Sequence, residues 1–127
     1  MTKKEEIKTP DAPKAIGPYS QAIKSGSFVF LSGQIPLGPA TMEIVEGDIV
    51  AQTHQVFKNL EALAKASGGT LNDIIKLTIF LTNLSDFTVI NEIMAKYFQE
   101  PYPARATIEV SALPKAVSIE IEAVMAL

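Results

Sequence analysis

The chain has 127 residues, 47% of them hydrophobic and 20% charged, with no cysteine and a formal net charge of −3. This balance fits one soluble domain spanning residues 1–127, long enough to bury roughly two-thirds of its unfolded surface without disulfides. The missing cysteines exclude a thiol nucleophile and a thiolate metal site, and 11 scattered Lys and Arg against 14 Asp and Glu argue against nucleic acid as a partner.

The first residues, Met1 to Glu6, are charged and lead into no apolar run, so a signal-peptide core is lacking. The longest apolar runs, such as Phe28-Val29-Phe30-Leu31, fall far short of the ~20 residues of a membrane span. A cytoplasmic protein with no membrane partner is expected. Lys3 to Thr9 reads as an edge strand. Phe28 to Ser32 reads as a short buried strand, paired with Ala22 to Lys24 across the turn Ser25-Gly26-Ser27.

From Gly47 to Ser67, Ile49, Thr53, Val56, Phe57, Leu60, Leu63 and Ala64 recur at helical spacing, with Asp48 as N-cap and Gly68-Gly69 as the stop. Next, Ile75, Leu77, Ile79 and Leu81 alternate with Lys76, Thr78, Phe80 and Thr82, the period of a strand with one face on a core. Phe80 on the other face implies a second covering layer, and in so short a chain that layer is expected to be another copy. A second helical stripe, Ile90, Ile93, Met94, Tyr97 and Phe98, follows a cap at Ser85 or Asp86 and stops before Pro101.

In the last third, Arg105, Thr107 and Glu109 share one strand face, while Ser118, Glu120 and Glu122 alternate with Val117, Ile119 and Ile121. Joined through Leu113-Pro114-Lys115 as an antiparallel hairpin with Val110 opposite Val117, these strands place Thr107 across from Glu120 and Arg105 diagonal to it. The fold class expected is α+β, one mixed sheet with both helices on one face.

Arg105 and Glu120 admit two readings. One is a cross-strand ion pair of small energetic weight. The other is a site: prolines 101 and 103 fix the approach to Arg105, whose planar fork grips a carboxylate, while Glu120 orients or deprotonates a water. Gly17-Pro18-Tyr19-Ser20-Gln21 and Ser32-Gly33-Gln34-Ile35-Pro36 read as turns, with Tyr19 as a pocket wall. His54, the only histidine, reads as solvent-facing, and no metal site can be built around it. Neither a glycine-rich phosphate loop nor a serine-nucleophile turn is present.

Five blocks carry a resemblance. Ala15-Ile16-Gly17-Pro18-Tyr19-Ser20-Gln21-Ala22, Leu31-Ser32-Gly33-Gln34-Ile35-Pro36, Asp86-Phe87 with Asn91, Tyr102-Pro103-Ala104-Arg105, and Leu113-Pro114-Lys115 leading to Ile119-Glu120-Ile121-Glu122-Ala123 occur in the order found in the RidA (YjgF) family of reactive-intermediate deaminases. The chain resembles that family over nearly its whole length. The resemblance implies a fold similar to bacterial chorismate mutase, a homotrimer with clefts between subunits, and hydrolysis of 2-imino acids and their enamines (2-iminobutanoate, 2-iminopropanoate) to 2-keto acids and ammonia. These intermediates are released by, and damage, pyridoxal-phosphate enzymes. No cofactor and no metal are implied. Arg105 is the implied carboxylate clamp and Glu120 the implied holder of the attacking water, with Tyr19, Ser32, Gly33, Asn91 and Thr107 as further substrate-binding positions. Many members carry cysteine after the arginine, where this chain reads Arg105-Ala106-Thr107, so thiol-dependent properties are not expected. The competing expectation is a non-catalytic trimeric binding or regulatory protein using the same cleft. A ribonuclease ranks below both because the chain is acidic and lacks a basic stripe.

Overall fold

A computed structural model describes residues 3–127; Met1 and Thr2, which begin the charged N-terminal run, lie outside the described residues. One sheet holds six strands, β1 (Lys4–Ile7), β2 (Ala22–Ser25), β3 (Phe28–Gln34), β4 (Ile74–Leu81), β5 (Ala104–Glu109) and β6 (Ile119–Ala126), in the order β1-β2-β3-β6-β4-β5. Two helices, α1 (Ile49–Ala66) and α2 (Phe87–Tyr97), enclose the core against it. Each arises where the periodicity places it. Asp48 caps α1, its Oδ1 accepting from the amides of Val50 and Ala51 at 3.1 and 3.2 Å. Asp86 precedes α2 without a side-chain cap; Asn83 instead caps the short 3-10 turn before it, accepting from the Ser85 amide at 3.0 Å.

Val56, Phe57, Leu60 and Leu63 of α1 meet Leu77, Ile79 and Leu81 of β4 and Ile119, Ile121 and Met125 of β6, all without solvent exposure. Burying each such side chain contributes roughly 1.5–3 kcal/mol, so this one layer is the main stabilising block. His54 is not turned to solvent. It is half-buried, and its Nδ1 lies 2.7 Å from the Tyr97 hydroxyl, tying α1 to α2.

Two expectations are corrected. The C-terminal hairpin does not form: β5 pairs with β4 in parallel, β6 pairs with β4 antiparallel, and β4 lies between them. The reason is the crossover. Helix α2 joins β4 to β5 as a strand-helix-strand unit, which brings its two strands side by side and parallel. Helix α1 likewise carries the chain from β3 to β4 but leaves a slot, and β6, the most completely buried strand, fills it antiparallel to both neighbours. In β4, a register shift between Ile74 and Lys76 makes Ile74 the buried residue and turns Ile75 outward at 45% exposure.

Strand β3 is buried on one face only. Val29 and Leu31 enter the core, whereas Phe28 and Phe30 stand 46% and 52% exposed on the open sheet face, and Ile108 of β5 adds a third exposed apolar side chain there. Among the described residues, no helix is long and apolar enough to cross a membrane.

Candidate functional site

Arg105 and Glu120 stand on opposite faces of the sheet. Arg105 is level with Leu77, a core residue, and so faces the helices at the sheet's edge. Glu120 is level with Phe80 and alternates with the buried Ile119 and Ile121, so it faces away from them. Two strand spacings across and three residues along β4 put their Cα atoms roughly 14 Å apart. The ion pair is therefore excluded within one chain, and so is a shared site within one chain.

Each residue has its own concavity. On the helix side, about 380 Å³ is lined by Asn91, Met94, Ala95, Tyr102, Pro103 and Arg105. Arg105 Nη1 donates to Asn91 Oδ1 at 2.7 Å and lies 3.5 Å from Met94 Sδ, while its Cζ sits 4.9 Å from the centre of the Phe87 ring. That distance lies within the range of a cation–π contact. Asn91 and Met94 follow Phe87 by four and seven residues, so a single flank of α2 supplies all three contacts. Among the described residues no carboxylate pairs with Arg105, and a guanidinium held this way keeps donors free for an anion.

The second concavity, about 600 Å³, is lined by Ser32, Gly33 and Glu120 together with Tyr19, Lys14 and Lys115. Burial raises the Glu120 carboxyl above its ordinary pKa, and the neighbouring Glu122 charge raises it further. A carboxylate so placed is a stronger proton acceptor than a solvated one. Gly33 makes that placement possible: a Cβ there would overlap the Glu120 carboxylate and come within 3.0 Å of its Cδ. Ser32 Oγ donates its proton to the Ser20 carbonyl at 2.6 Å, which ties the Tyr19 turn to β3 and leaves the hydroxyl only as an acceptor toward a ligand. The exposed Tyr19 receives a long bond from the Ile16 amide at 3.4 Å.

Thr107 lines neither concavity. It is half-buried beside Ile79 on the helix-facing side of β5, an edge strand whose outer main-chain groups have no partner strand among the described residues. The structure thus gathers Tyr19, Ser32, Gly33 and Glu120 into one group and Arg105 and Asn91 into another. Sequence reasoning placed neither Phe87 nor Met94 at the arginine, although the i, i+4, i+7 spacing with Asn91 was readable. Among the described residues there is no cluster of His, Cys, Asp and Glu suited to a metal.

Residues 9–127 match the family described as Endoribonuclease L-PSP. The crystal structure of RidA from the Antarctic bacterium Psychrobacter sp. PAMC 21119 superposes with a TM-score of 0.93 at 49% identity, covering 97% of this chain and 99% of that one. The chain belongs to the RidA family. Its mixed sheet with two helices on one face is the fold of that RidA structure. A RutC family protein of Pyrococcus horikoshii is 57% identical over 121 residues, covering 95% of this chain and 96% of that protein. The 2-iminobutanoate/2-iminopropanoate deaminase of Dermatophagoides farinae is 46% identical over 125 residues, covering 98% of each.

Proposed function

We propose that this RidA protein hydrolyses 2-imino acids and their enamine tautomers to 2-keto acids and ammonia, at sites where one subunit's Arg105 concavity closes on a neighbour's Glu120 concavity in a homotrimer. The observation that carries this reading is Arg105, oriented by Asn91 and Phe87 yet paired with no carboxylate of the described chain. A relative named for 2-iminobutanoate and 2-iminopropanoate supports the choice of anion. The exposed Phe28, Phe30 and Ile108 on the open face support a partner subunit there.

A protonated imine is already electrophilic, so catalysis needs orientation and a proton acceptor. Arg105 holds the substrate carboxylate. Water bound at Glu120 adds through its oxygen to C2, the C=N π electrons move to nitrogen, and Glu120 takes the water's proton to give a neutral carbinolamine. Glu120 returns that proton to nitrogen, the C–N bond breaks as the C2 hydroxyl gives its proton to the Glu120 carboxylate and its O–H electrons form the carbonyl, and ammonia leaves and takes that proton as ammonium. Each step uses the substrate, water and these side chains, so the chemistry calls for no cofactor or metal. In a cell the consequence is removal of intermediates released by pyridoxal-phosphate enzymes, which would otherwise damage such enzymes.

The direct experiment generates 2-aminocrotonate with threonine dehydratase and follows its decay with and without the protein. Accelerated decay is expected. No acceleration by an assembled oligomer, on this substrate and on 2-aminoacrylate, assigns the protein to ligand binding instead.

The shared site makes its own prediction. Arg105→Ala and Glu120→Gln chains, each inactive alone, are unfolded together and reassembled in equal amounts. Random assembly leaves about a quarter of the sites with an intact arginine facing an intact glutamate, so about a quarter of wild-type activity is expected to return. Recovery of none contradicts a site drawn from two chains.

Gly33→Ala is expected to lower turnover roughly tenfold to a hundredfold by displacing the Glu120 carboxylate, with little change in melting temperature because the collision is with a side chain at the wall of a cavity. Turnover within twofold of wild type shows that Glu120 has room to move without loss.

A further inference from the structure

The lining of the Glu120 concavity includes the apolar residues Pro13, Ile16, Ile35 and Leu37. None of these residues belongs to a helix or to one of the six strands. Ile16 lies in the loop before β2, and Ile35 and Leu37 begin the long connection between β3 and α1. Such segments are ordinarily the mobile parts of a fold. Two buried amide side chains bind these segments at Ile35 and Leu37 and, in the loop of Ile16, at Pro13. Asn59 on α1 is 1% exposed; its Nδ2 donates to the carbonyls of Leu37 at 2.9 Å and Ile35 at 3.3 Å, while its Oδ1 accepts from Gln55 at 2.9 Å. Gln21 at the foot of β2 is 4% exposed; its Oε1 accepts from the Thr9 amide at 2.8 Å, and its Nε2 faces the carbonyls of Pro13 at 2.8 Å, Thr9 at 3.0 Å and Ala12 at 3.2 Å.

The two amides hold different parts of the same cavity's lining, Gln21 at Pro13 and Asn59 at Ile35 and Leu37. Each places its donors on main-chain carbonyls of a lining segment, and a buried carbonyl deprived of its partner is costly enough to move the segment. The strap at Ile35–Leu37 is further closed by the Val45 amide on the Pro36 carbonyl at 2.9 Å, so Asn59 sets the position of a small preformed unit.

We propose that Asn59 and Gln21 are positioning residues that hold the apolar lining Pro13–Ile35–Leu37 at the distance that selects the substrate's side chain. The inference rests on the imine-hydrolysis reading and adds its side-chain preference. The lining favours an imino acid with an apolar side chain longer than methyl, because an ethyl group reaches apolar surface that a methyl group leaves uncovered. One additional buried methylene corresponds to about a fourfold preference.

The test measures kcat/KM for 2-iminobutanoate and 2-iminopropanoate, which differ by one methylene, in the wild type and in three variants. Asn59→Asp and Gln21→Glu each replace the amide donors by a carboxyl oxygen of the same shape, which when ionised repels the carbonyls it faced, and keep the accepting oxygen. Leu37→Ala trims the lining directly and covers the case in which a buried carboxylate prevents folding. The quantity read is the ratio of the two kcat/KM values, which a simple loss of folded protein leaves unchanged. The wild-type ratio is expected near four, falling toward one in Leu37→Ala and in whichever amide variants fold. A ratio that stays at the wild-type value in Leu37→Ala and in the folded amide variants, with both constants falling together, overturns the proposal. A wild type that hydrolyses neither imine overturns the deaminase reading beneath it.

Discussion

Replacing Arg105 by alanine is expected to lower kcat/KM for a 2-imino acid by roughly 30- to 5,000-fold, the equivalent of about 2–5 kcal/mol for losing a charged, hydrogen-bonded partner in a desolvated cleft. The structural basis is the support of the guanidinium. Asn91 accepts from Nη1 at 2.7 Å, and the guanidinium carbon sits over the Phe87 ring at 4.9 Å from its centre, so the arginine's position is set before substrate arrives. Arg105→Lys keeps the charge but loses the planar fork, and an intermediate loss is expected. Asn91→Ala is expected to raise KM more than it lowers kcat, because it frees the guanidinium without removing it. Steady-state kinetics on enzymatically generated imine distinguish these cases. Activity of Arg105→Ala within threefold of wild type means the carboxylate is held elsewhere.

Glu120→Gln is expected to move activity and stability in opposite directions. Loss of the proton acceptor lowers kcat by roughly a hundredfold to ten-thousandfold while KM changes little, since the carboxylate clamp remains. Stability follows from the sign of the pKa shift. Burial, then Glu122, raises the folded-state pKa of Glu120 above its unfolded value of about 4.5, so the folded state favours the neutral acid. The stabilisation from that preference is complete below the unfolded pKa and is lost as pH rises through the folded pKa. At pH 7 the wild type holds an ionised, partly desolvated carboxylate beside a second one, and glutamine removes both penalties. The variant is expected to melt higher than wild type at pH 7, with the difference vanishing near pH 4. The same shift places the acid limb of the wild-type kcat/KM profile above the ordinary carboxylate range, because Glu120 must be ionised to accept the water's proton. A variant that raises KM at unchanged kcat contradicts the water-activating role.

These two residues also mark the limit of what alternation can tell. The face of β6 was legible: Ile119, Ile121 and Met125 alternate with Glu120 and Glu122, and the structure buries the first set and leaves the second toward the open face. The face of β5 was not: Arg105 and Thr107 turn toward the helices and Ile108 away from them. Nor was it legible which strands are neighbours. Alternation is a local property of one strand, and pairing β5 with β6 as a hairpin satisfied both patterns equally well. The deciding constraint was the α2 crossover, which makes β4 and β5 parallel neighbours and turns the Arg105 face toward α2. Strand-helix-strand order carried that information, and it outweighs the shorter connection between β5 and β6.

The sequence by itself determined both helices with the Asp48 cap, the β2–β3 hairpin, the core sets of α1 and β6 and the Leu77, Ile79 and Leu81 part of β4, because each depends on residues within a few positions of one another. It also determined family membership, through five short blocks whose order survives divergence elsewhere in the chain. Only the tertiary structure decided that β6 occupies the slot between β3 and β4, that His54 links the helices, and that Arg105 and Glu120 lie on opposite faces. It alone showed why Gly33 is glycine and which loops Gln21 and Asn59 hold. These are contacts between segments far apart in the chain, and no local period encodes them. Long-range strand pairing and helix crossovers bring those segments together, setting both the spacing of the site's two halves and the face of the sheet on which each lies, while local sequence sets only which residues of one strand share a face.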